Sequence, residues 1–386
     1  MIATIEQIKE MENQTSLKET KFSVNGEMIK EIKNIIKGYK KPSDDVFKNI
    51  LIEVINKTLI NVKYTNGDLF VSKMLFANVN NISTDAFTLP IQFIKGIQSI
   101  KKNEVFEFEI VDTNKLLFTR NNFQQEVIIG SKDDYISFDF LEKDYFDTVE
   151  TANGYEYFEY NDLKVLAKAI KSTSESDSRP ALKEIEIRNK QVISTDSHRL
   201  YRAKTIFSNE YGFMINPVLI QKAIDICDKN MFLKMSVNGY RIKIQDDYST
   251  KIYYNHYQGS YPNVDRIIPV NFSHIVEIDH ATDVYNYLKP LKKELINFYM
   301  LANQNKAIFE AVLETGKIKL EVPIRTKEGL KEDFKMSFNA RFFKEGLEQL
   351  DIEGFKMKIT ANYRPFLLEK QTSDKEMVLI LPIRVM

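Results

Sequence analysis

Lys21-Phe-Ser-Val-Asn-Gly-Glu-Met-Ile-Lys-Glu-Ile-Lys-Asn-Ile-Ile36 predicts a β-strand over 21–24 followed by a helix over about 27–39. The apolar residues of this helix share roughly one third of the helical wheel. They are Met28, Ile29, Ile32, Ile35, Ile36 and Tyr39. The lysines form a separate arc, at Lys30, Lys33, Lys37, Lys40 and Lys41. The stretch therefore predicts a strand leading into a helix that buries one face and presents a basic face to solvent.

The same order of elements recurs along the chain. A second helix is predicted over 90–102, followed by an alternating strand over 105–110. A second copy begins with a strand over 155–160 and a helix through Lys171, and continues with a helix over 217–226. A third copy begins at 275–278, has a helix carrying Lys289, Lys292 and Lys293, and continues with a helix through Leu350. The second helices open at Pro90, Pro217 and Ala340, about 120–130 residues apart, which is close to one domain length.

This repeat predicts an α+β fold of three similar domains, each with two helices packed on a mostly antiparallel sheet. The predicted domains span 21–150, 151–270 and 271–386, after a polar N-terminal extension over 1–20. A length of 386 residues fits this division, because it is too long for one ordinary core.

Composition excludes several classes of protein. The apolar fraction of 43% and charged fraction of 28% indicate a globular chain, and its longest apolar runs are about half of what a membrane span needs. The N-terminus does not resemble a signal peptide. One cysteine, Cys227, fits a reducing cytoplasm, and with four scattered histidines it makes a metal site improbable. With 54 basic and 54 acidic side chains the net charge is zero, so only a local basic surface could meet nucleic acid.

The last ten residues, Met377-Val-Leu-Ile-Leu-Pro-Ile-Arg-Val-Met386, form an apolar run broken by a proline. The run 377–381 predicts a buried strand, and Pro382 removes a donor from any ladder beyond it. Chain ends are usually polar and frayed unless they are held in place. This ending therefore predicts a tail that lines a surface groove and helps to grip a partner.

The densest polar cluster is Ser194-Thr-Asp-Ser-His-Arg-Leu200. Its Asp196, Ser197 and His198 are the residue types of a hydrolytic triad, but contiguous side chains diverge and cannot form one. The chain also has no Gly-x-Ser-x-Gly elbow. The cluster instead predicts a tight turn closed by bonds from side chains to the backbone.

Four motifs in order now point to a family. They are Arg179-Pro-Ala-Leu182, Thr195-Asp-Ser-His-Arg-Leu200, Tyr261-Pro-Asn-Val-Asp-Arg-Ile-Ile-Pro269 and Leu381-Pro-Ile-Arg384, with a further basic-Pro segment at Lys41-Pro-Ser-Asp-Asp-Val-Phe-Lys-Asn-Ile-Leu51. Over roughly 21–386 the chain resembles the bacterial replicative sliding clamp, the β subunit of DNA polymerase III. The resemblance implies three DNA-clamp domains per chain and a head-to-tail homodimer closed into a ring around double-stranded DNA. It also implies a cytoplasmic, non-enzymatic processivity factor without cofactor or metal.

In this family a groove between the second and third domains receives a Gln-Leu-x-Leu-Phe-like peptide. The peptide comes from the catalytic subunit of DNA polymerase III, the clamp loader or repair proteins. Carried over by motif, the groove here consists of Leu182, Thr195, Ser197, His198, Leu200, Pro262, Ile267, Asn339, Phe342, Leu379, Leu381, Pro382, Ile383 and Arg384. Its aliphatic side chains suit leucine and phenylalanine anchors. Taken singly, Leu182, Leu200 and Ile267 are better explained as ordinary core residues.

Basic residues near the helices predict the surface that meets phosphate without reading bases. The candidates are Lys33, Lys37, Lys41, Lys95, Lys164, Lys168, Lys171, Arg179, Lys222 and Lys289. An ordinary solvated helix face is the alternative for any one of them. Their recurrence in equivalent helices of a chain with zero net charge favours a basic lining.

The chain departs from the family where methionine is common, at Leu381 and Ile383. Branched aliphatic residues are less adaptable there, which could narrow the choice of partner. A specialised or decoy clamp, serving one dedicated polymerase or inhibiting a host replisome, is therefore an alternative. An enzyme acting on nucleic acid is a weaker one, because the sequence has neither a phosphate-cradling glycine loop nor metal-spaced carboxylates.

Overall fold

A computed structural model describes residues 20–38, 45–143, 155–207, 212–238, 241–247, 249–255, 257–302, 304–326 and 332–384. The extension predicted at the N-terminus and the predicted phosphate contact of Lys41 lie outside these ranges, apart from Thr20.

Strands dominate the described ranges, as the alternating segments predict. They are β1 (Lys21–Asn25), β2 (Asn49–Val54), β3 (Leu59–Thr65), β4 (Leu69–Phe76), β5 (Asn78–Asn81), β6 (Ala86–Pro90), β7 (Val105–Asp112), β8 (Lys115–Arg120), β9 (Phe123–Ile128), β10 (Gly130–Ser131), β11 (Tyr155–Glu159), β12 (Ile185–Arg188), β13 (Gln191–Thr195), β14 (Arg199–Lys204), β15 (Phe213–Ile215), β16 (Phe232–Asn238), β17 (Arg241–Asp246), β18 (Thr250–Asn255), β19 (His274–Ile278), β20 (Leu295–Leu301), β21 (Lys306–Leu313), β22 (Gly316–Pro323), β23 (Arg325–Thr326), β24 (Phe334–Asn339), β25 (Phe355–Ile359), β26 (Phe366–Lys370) and β27 (Glu376–Ile380).

Most helices that the sequence predicts end earlier in the structure, whereas the helix predicted over 217–226 has those bounds. The helices of the described ranges are α1 (Gly26–Ile35), α2 (Ile91–Gly96), α3 (Asp139–Lys143), α4 (Tyr160–Ile170), α5 (Pro217–Ile226), α6 (Ala281–Leu288) and α7 (Ala340–Gln349). A side chain caps α1, where Asn25 Oδ1 accepts from Met28 N at 3.0 Å, whereas the N-caps of α2 and α6, Pro90 and His280, make no side-chain cap bond. None of these helices is both long and apolar enough to cross a bilayer.

The prediction of a helix over 90–102 is wrong beyond Gly96. Ile97 has extended backbone, with φ −68° and ψ 108°, so α2 stops there. Arg120 then donates to the carbonyl oxygens of Gln98 (2.7 Å) and Ser99 (2.8 Å). A distant side chain thus satisfies carbonyls that a longer helix would pair internally.

The prediction that Lys289, Lys292 and Lys293 lie within one helix is also wrong. The helix α6 ends at Leu288 with Lys289 as its C-cap, so the other two lysines lie beyond it. Pro290 follows directly, and a proline has no N–H with which to continue a helix.

The chain forms two compact units, each with its own sheets. Unit 1 comprises Met1–Tyr160 and Gln221–Asn255, and unit 2 comprises Asn161–Ile220 and His256–Met386. Unit 1 contains a nine-stranded sheet, in the order β10-β6-β2-β3-β4-β18-β17-β16-β11, and a five-stranded sheet, β5-β1-β7-β8-β9. Unit 2 contains a nine-stranded sheet, β15-β12-β13-β14-β27-β26-β25-β19-β23, and a four-stranded sheet, β22-β21-β20-β24.

The strand pairing in both large sheets joins segments from two predicted repeats. In unit 1, β4 pairs antiparallel with β18, and in unit 2, β14 pairs antiparallel with β27. Each junction brings together strands about 180 residues apart in sequence, so long-range pairing holds each unit together. The division of the chain at 150 and 270 stays a prediction, because the compact units follow the sheets.

Candidate partner groove and basic surface

The turn between β13 and β14 is closed by its own side chains. Thr195 Oγ1 accepts from Ser197 N at 3.1 Å. Asp196 Oδ1 accepts from His198 N at 2.9 Å and from Arg199 N at 3.0 Å. Ser197 has a φ of 77°, in the left-handed region that favours glycine. The prediction of a tight, side-chain-bonded turn at this cluster is confirmed, and the turn leaves Ser197 and His198 exposed.

A buried arginine fastens this turn to α7. The Arg199 side chain is 4% exposed, its Nε donates to Asp196 Oδ2 at 3.0 Å, and its Nη1 pairs with Glu345. Burial alone would raise the pKa of Glu345, but hydrogen bonds from Arg341 and Arg199 outweigh it, so the pKa lies below its usual value. Glu345 is therefore ionised at neutral pH and compensates the buried guanidinium.

Phe342 lies against both side chains of the turn. Its ring is stacked on the His198 ring, with centroids 6.0 Å apart and planes at 18°. The Arg199 guanidinium lies 4.7 Å from the same ring centroid, a cation–π contact. Asn339, the N-cap of α7, accepts from Arg341 N at 2.9 Å and Phe342 N at 3.3 Å. The predicted site residues His198, Asn339 and Phe342 thus lie together in one arrangement within unit 2.

The tail leaves β27 beside the same turn. Leu381 N donates to the carbonyl oxygen of His198 at 2.9 Å, and Ile383 N donates to that of Ser337 at 2.7 Å. Within 377–381 only Leu381 is more than slightly exposed, so a buried strand over this run is confirmed up to Ile380. Pro382 lies between the two anchoring bonds. The tail is therefore held by backbone bonds on both sides of the proline.

The predicted aliphatic residues of the groove divide into two layers. Leu182, Leu200 and Leu379 are buried, and the latter two join a core cluster with Val264 and Leu367. These residues support the surface from beneath, so the prediction that they are contact walls is corrected for this structure. The exposed apolar residues are Ile267 (48%) and Ile383 (42%), together with Pro262, five residues before Ile267 in sequence. Thr195 is also buried, and its hydroxyl oxygen accepts the hydrogen bond from Ser197 N within the turn.

The predicted basic residues differ widely in exposure. Lys37, Lys164, Lys171, Arg179 and Lys289 are exposed, whereas Lys33, Lys95 and Lys168 are half-buried. Arg179 donates to Ser197 Oγ at 2.7 Å, and its contact with DNA stays a prediction.

Lys222 is the clearest correction among the predicted DNA contacts. It is 4% exposed, and its Nζ donates to three backbone carbonyl oxygens, those of Asn34 (3.0 Å), Ile35 (2.8 Å) and Lys37 (2.9 Å). Burial lowers its pKa to about 8. Lys222 therefore caps the C-terminal end of α1 and is not available to a phosphate.

Several exposed or half-buried lysines are already paired with carboxylates. Lys168 Nζ lies 2.7 Å from Asp351 Oδ2 and 2.9 Å from Glu376 Oε1. Lys171 pairs with Glu348, and Lys37 Nζ lies 2.8 Å from Asp225 Oδ1. A role for these acidic partners and for Glu345 was not predicted from the sequence. The i, i+4 spacings of Arg341 with Glu345 and of Lys344 with Glu348 were the local signals available for them.

Comparison with known proteins places this arrangement in a known fold. The chain is 23% identical over 399 residues to a "Beta sliding clamp" of Streptococcus pneumoniae, covering 94% of this chain and 99% of that protein. It is 22% identical over 244 residues to one from Halalkalibacterium halodurans, covering 57% of this chain and 62% of that one. No protein-family model matches it.

Solved structures agree with the sequence matches. The β subunit of DNA polymerase from Streptococcus pyogenes superposes with a TM-score of 0.78 at 18% identity, covering 95% of this chain and 100% of that chain. The DNA polymerase sliding clamp of Bacillus subtilis gives a TM-score of 0.79 at 14% identity, with the same coverage. The predicted resemblance and α+β fold class are confirmed: the chain has the fold of the bacterial β sliding clamp.

Proposed function

We propose that this chain is a sliding clamp, a DNA polymerase processivity factor that encircles duplex DNA without sequence preference. On this proposal it acts in the cytoplasm as a tether and catalyses no reaction. It holds the polymerase, the clamp loader and repair proteins through the groove of unit 2. One observation carries the proposal: the turn at His198, Phe342 of α7 and the tail at Leu381 meet in one arrangement on the sliding-clamp fold.

The groove offers a partner peptide two kinds of contact. Ile267 and Ile383 supply exposed aliphatic surface over the buried layer of Leu200 and Leu379. His198 supplies a polar ring, fixed by its stacking on Phe342. Apolar anchors with a few placed polar groups are typical of peptide-binding sites. A short peptide with leucine and phenylalanine anchors is therefore the proposed ligand.

A labelled Gln-Leu-x-Leu-Phe peptide tests this groove by fluorescence anisotropy. We expect a micromolar Kd, about −8 kcal/mol, for the intact chain. Deletion of 382–386 removes the Ile383 N–H bond to Ser337 and the exposed Ile383 side chain, so binding should weaken at least about tenfold, or 1.4 kcal/mol. A chain lacking only 385–386 is the matched control and should bind like the intact chain. If the intact chain does not bind, the general-clamp proposal fails and a specialised clamp with another partner motif replaces it.

The proposed ring requires two chains with three repeats each. The edges of the sheets could join these chains by strand pairing. Among the described strands, β9 pairs with β8 alone and β22 with β21 alone, so each has one edge that no described strand covers. The other edge of the four-stranded sheet, β24, gives the carbonyl of Ser337 to Ile383 N. Unpaired edges are ready templates for another strand. We therefore propose that β9 of one chain pairs with β22 of its partner, where Glu126 would face the basic Lys317 and Lys319.

This pairing predicts that a charged substitution of Ile128, which is 76% exposed at the end of β9, strongly weakens the dimer. Ile128→Asp places a carboxylate where the partner would bury an apolar side chain. Light scattering should then show a shift from twice the chain mass towards the single-chain mass of 45.1 kDa. Phe76→Asp, an exposed apolar residue on β4, is the control and should leave the assembly unchanged. A dimer that survives Ile128→Asp at low micromolar concentration would show that another edge closes the ring.

A further inference from the structure

The turn between β3 and β4 in unit 1 repeats the groove turn of unit 2. Thr65 Oγ1 accepts from Gly67 N at 3.0 Å. Asn66 Oδ1 accepts from Asp68 N at 3.2 Å and from Leu69 N at 2.8 Å. Gly67 has a φ of 97°, in the same left-handed region as the third residue of the other turn. The three bonds from backbone amides to the side chains of Thr195 and Asp196 thus have counterparts here, at the same donor and acceptor positions.

The strand that closes this turn is also equivalent. Asn255 N, at the end of β18, donates to the carbonyl oxygen of Asp68 at 3.2 Å. In unit 2 the corresponding bond runs from Leu381 N to His198 O at 2.9 Å. A strand pair followed by a bond to the fourth turn residue therefore occurs in both units, and only in unit 2 does the donor belong to the tail.

A tyrosine, buried at 135 and partly buried at 261, holds the segment beside each turn. Tyr135 donates its hydroxyl to the carbonyl oxygen of Lys63 at 3.2 Å. Tyr261 accepts from Thr195 N at 3.0 Å. Burial raises the pKa of both hydroxyls. Three residues after each tyrosine comes a buried apolar residue and then an aspartate, in Tyr135-Ile-Ser-Phe-Asp139 and Tyr261-Pro-Asn-Val-Asp265.

In each unit we call the turn, the strand that closes it and the tyrosine beside it the frame. The two frames differ in the side chains that lie within them. Leu200 pairs with Leu379 in the unit 2 junction, whereas Phe70 pairs with Tyr253 at the equivalent place in unit 1. Phe70 meets two further rings edge-on, those of Phe138 (5.4 Å) and Phe140 (5.9 Å). The frame of unit 1 is therefore occupied by aromatic side chains of its own segment.

Phe140 is the exposed member of this aromatic group, whereas Phe70, Phe138 and Tyr253 are buried. It is 38% exposed, so it covers Phe70 from the solvent side, and the Arg241 guanidinium lies 5.3 Å from its ring. The residue equivalent to it in unit 2, five positions after the tyrosine, is the exposed Arg266. A cavity of about 280 Å³ beside Phe138 and Tyr253 leaves further space in the same frame.

We propose that unit 1 holds a second peptide groove whose anchor position is occupied by the chain's own Phe140. The ligand class is the one proposed for unit 2, a short peptide with leucine and phenylalanine anchors, and the inference rests on that proposed function. The chain then binds one peptide while its sheet junctions provide two frames. Removal of the Phe140 ring opens the second frame.

Phe140→Ala tests this by isothermal titration with the Gln-Leu-x-Leu-Phe peptide. The intact chain should bind one peptide per chain, and Phe140→Ala should bind two. Phe140→Ala combined with deletion of 382–386 should keep one site, now in unit 1. Phe140→Arg, which copies the equivalent residue of unit 2, is the second variant and should also gain a site.

Phe76→Ala, which removes an exposed ring elsewhere in unit 1, is the matched control and should keep one site. If neither Phe140 variant gains a site while circular dichroism shows both folded, the inference is overturned, whatever the intact chain binds. If the intact chain binds no peptide but Phe140→Ala binds one, the proposed groove of unit 2 fails and the second frame stands. The two proposals therefore fail on different measurements.

Discussion

Arg199→Ala is expected to abolish peptide binding and to lower the free energy of unfolding by about 3–5 kcal/mol. The Arg199 side chain is 4% exposed and pairs with both Asp196 and Glu345, which are themselves largely buried. Its removal leaves two carboxylates without their cation in a poorly solvated place. The turn would also lose its fastening to α7, and the stack of His198 on Phe342 would lose its fixed position.

The measurements are urea unfolding and peptide anisotropy on the same samples. Arg341→Ala is the matched control, because Arg341 pairs with the same Glu345 but is about half exposed. An exposed pair of this kind contributes under about 1 kcal/mol, so this control should unfold and bind nearly as the parent does. Arg199→Lys should recover part of the stability but less of the binding, since lysine keeps the positive charge but lacks the planar guanidinium with its several N–H donors. Equal binding by Arg199→Ala and the parent would refute the role of this arginine in shaping the groove.

Lys222→Met should cost about 3 kcal/mol of stability in unit 1 while leaving the groove of unit 2 intact. Methionine keeps the length of the side chain, so little packing is lost. The three carbonyl oxygens of Asn34, Ile35 and Lys37 lose a charged donor at the C-terminal end of α1, where a cation is also favoured by the helix dipole.

Hydrogen exchange locates the expected effect. Amides near the end of α1 should exchange faster in Lys222→Met, and urea unfolding should begin at lower concentration. Lys164→Met is the control, because Lys164 is exposed on α4, and it should change stability by less than about 0.5 kcal/mol. If Lys222→Met proves as stable as Lys164→Met, the capping role is refuted and Lys222 returns to the set of candidate DNA contacts.

Local patterns in the sequence predicted the strands and the groove turn well. Alternation along 105–110 and 155–160 needs only the period of a strand, and the turn at Asp196 needs only a side chain that reaches its own backbone. The burial of Lys222 had no such local signal. It follows from the end of α1, nearly 190 residues earlier in the chain, lying opposite α5 in unit 1.

Contacts with segments that are distant in sequence also explain the other corrections. The early end of α2 is accompanied by a contact from Arg120, which lies on β8 and donates to the carbonyl oxygens of Gln98 and Ser99. The pairing of Lys168 depends on Asp351 and Glu376, both in distant segments. Periodicity describes one element at a time, whereas these contacts require the tertiary arrangement.

The carboxylates beside Lys168 also bear on how such a ring would travel. Lys168 and Lys370 share Asp351 and Glu376, with Lys370 Nζ 2.6 Å from Asp351 Oδ2. A phosphate reaching such a lysine exchanges one anionic neighbour for another, so each contact adds little to the release of condensed ions. Shallow, interchangeable contacts make successive positions along the duplex nearly equal in energy. In the proposed ring, this pairing would lower the friction between protein and duplex, and topology rather than adhesion would keep the two together.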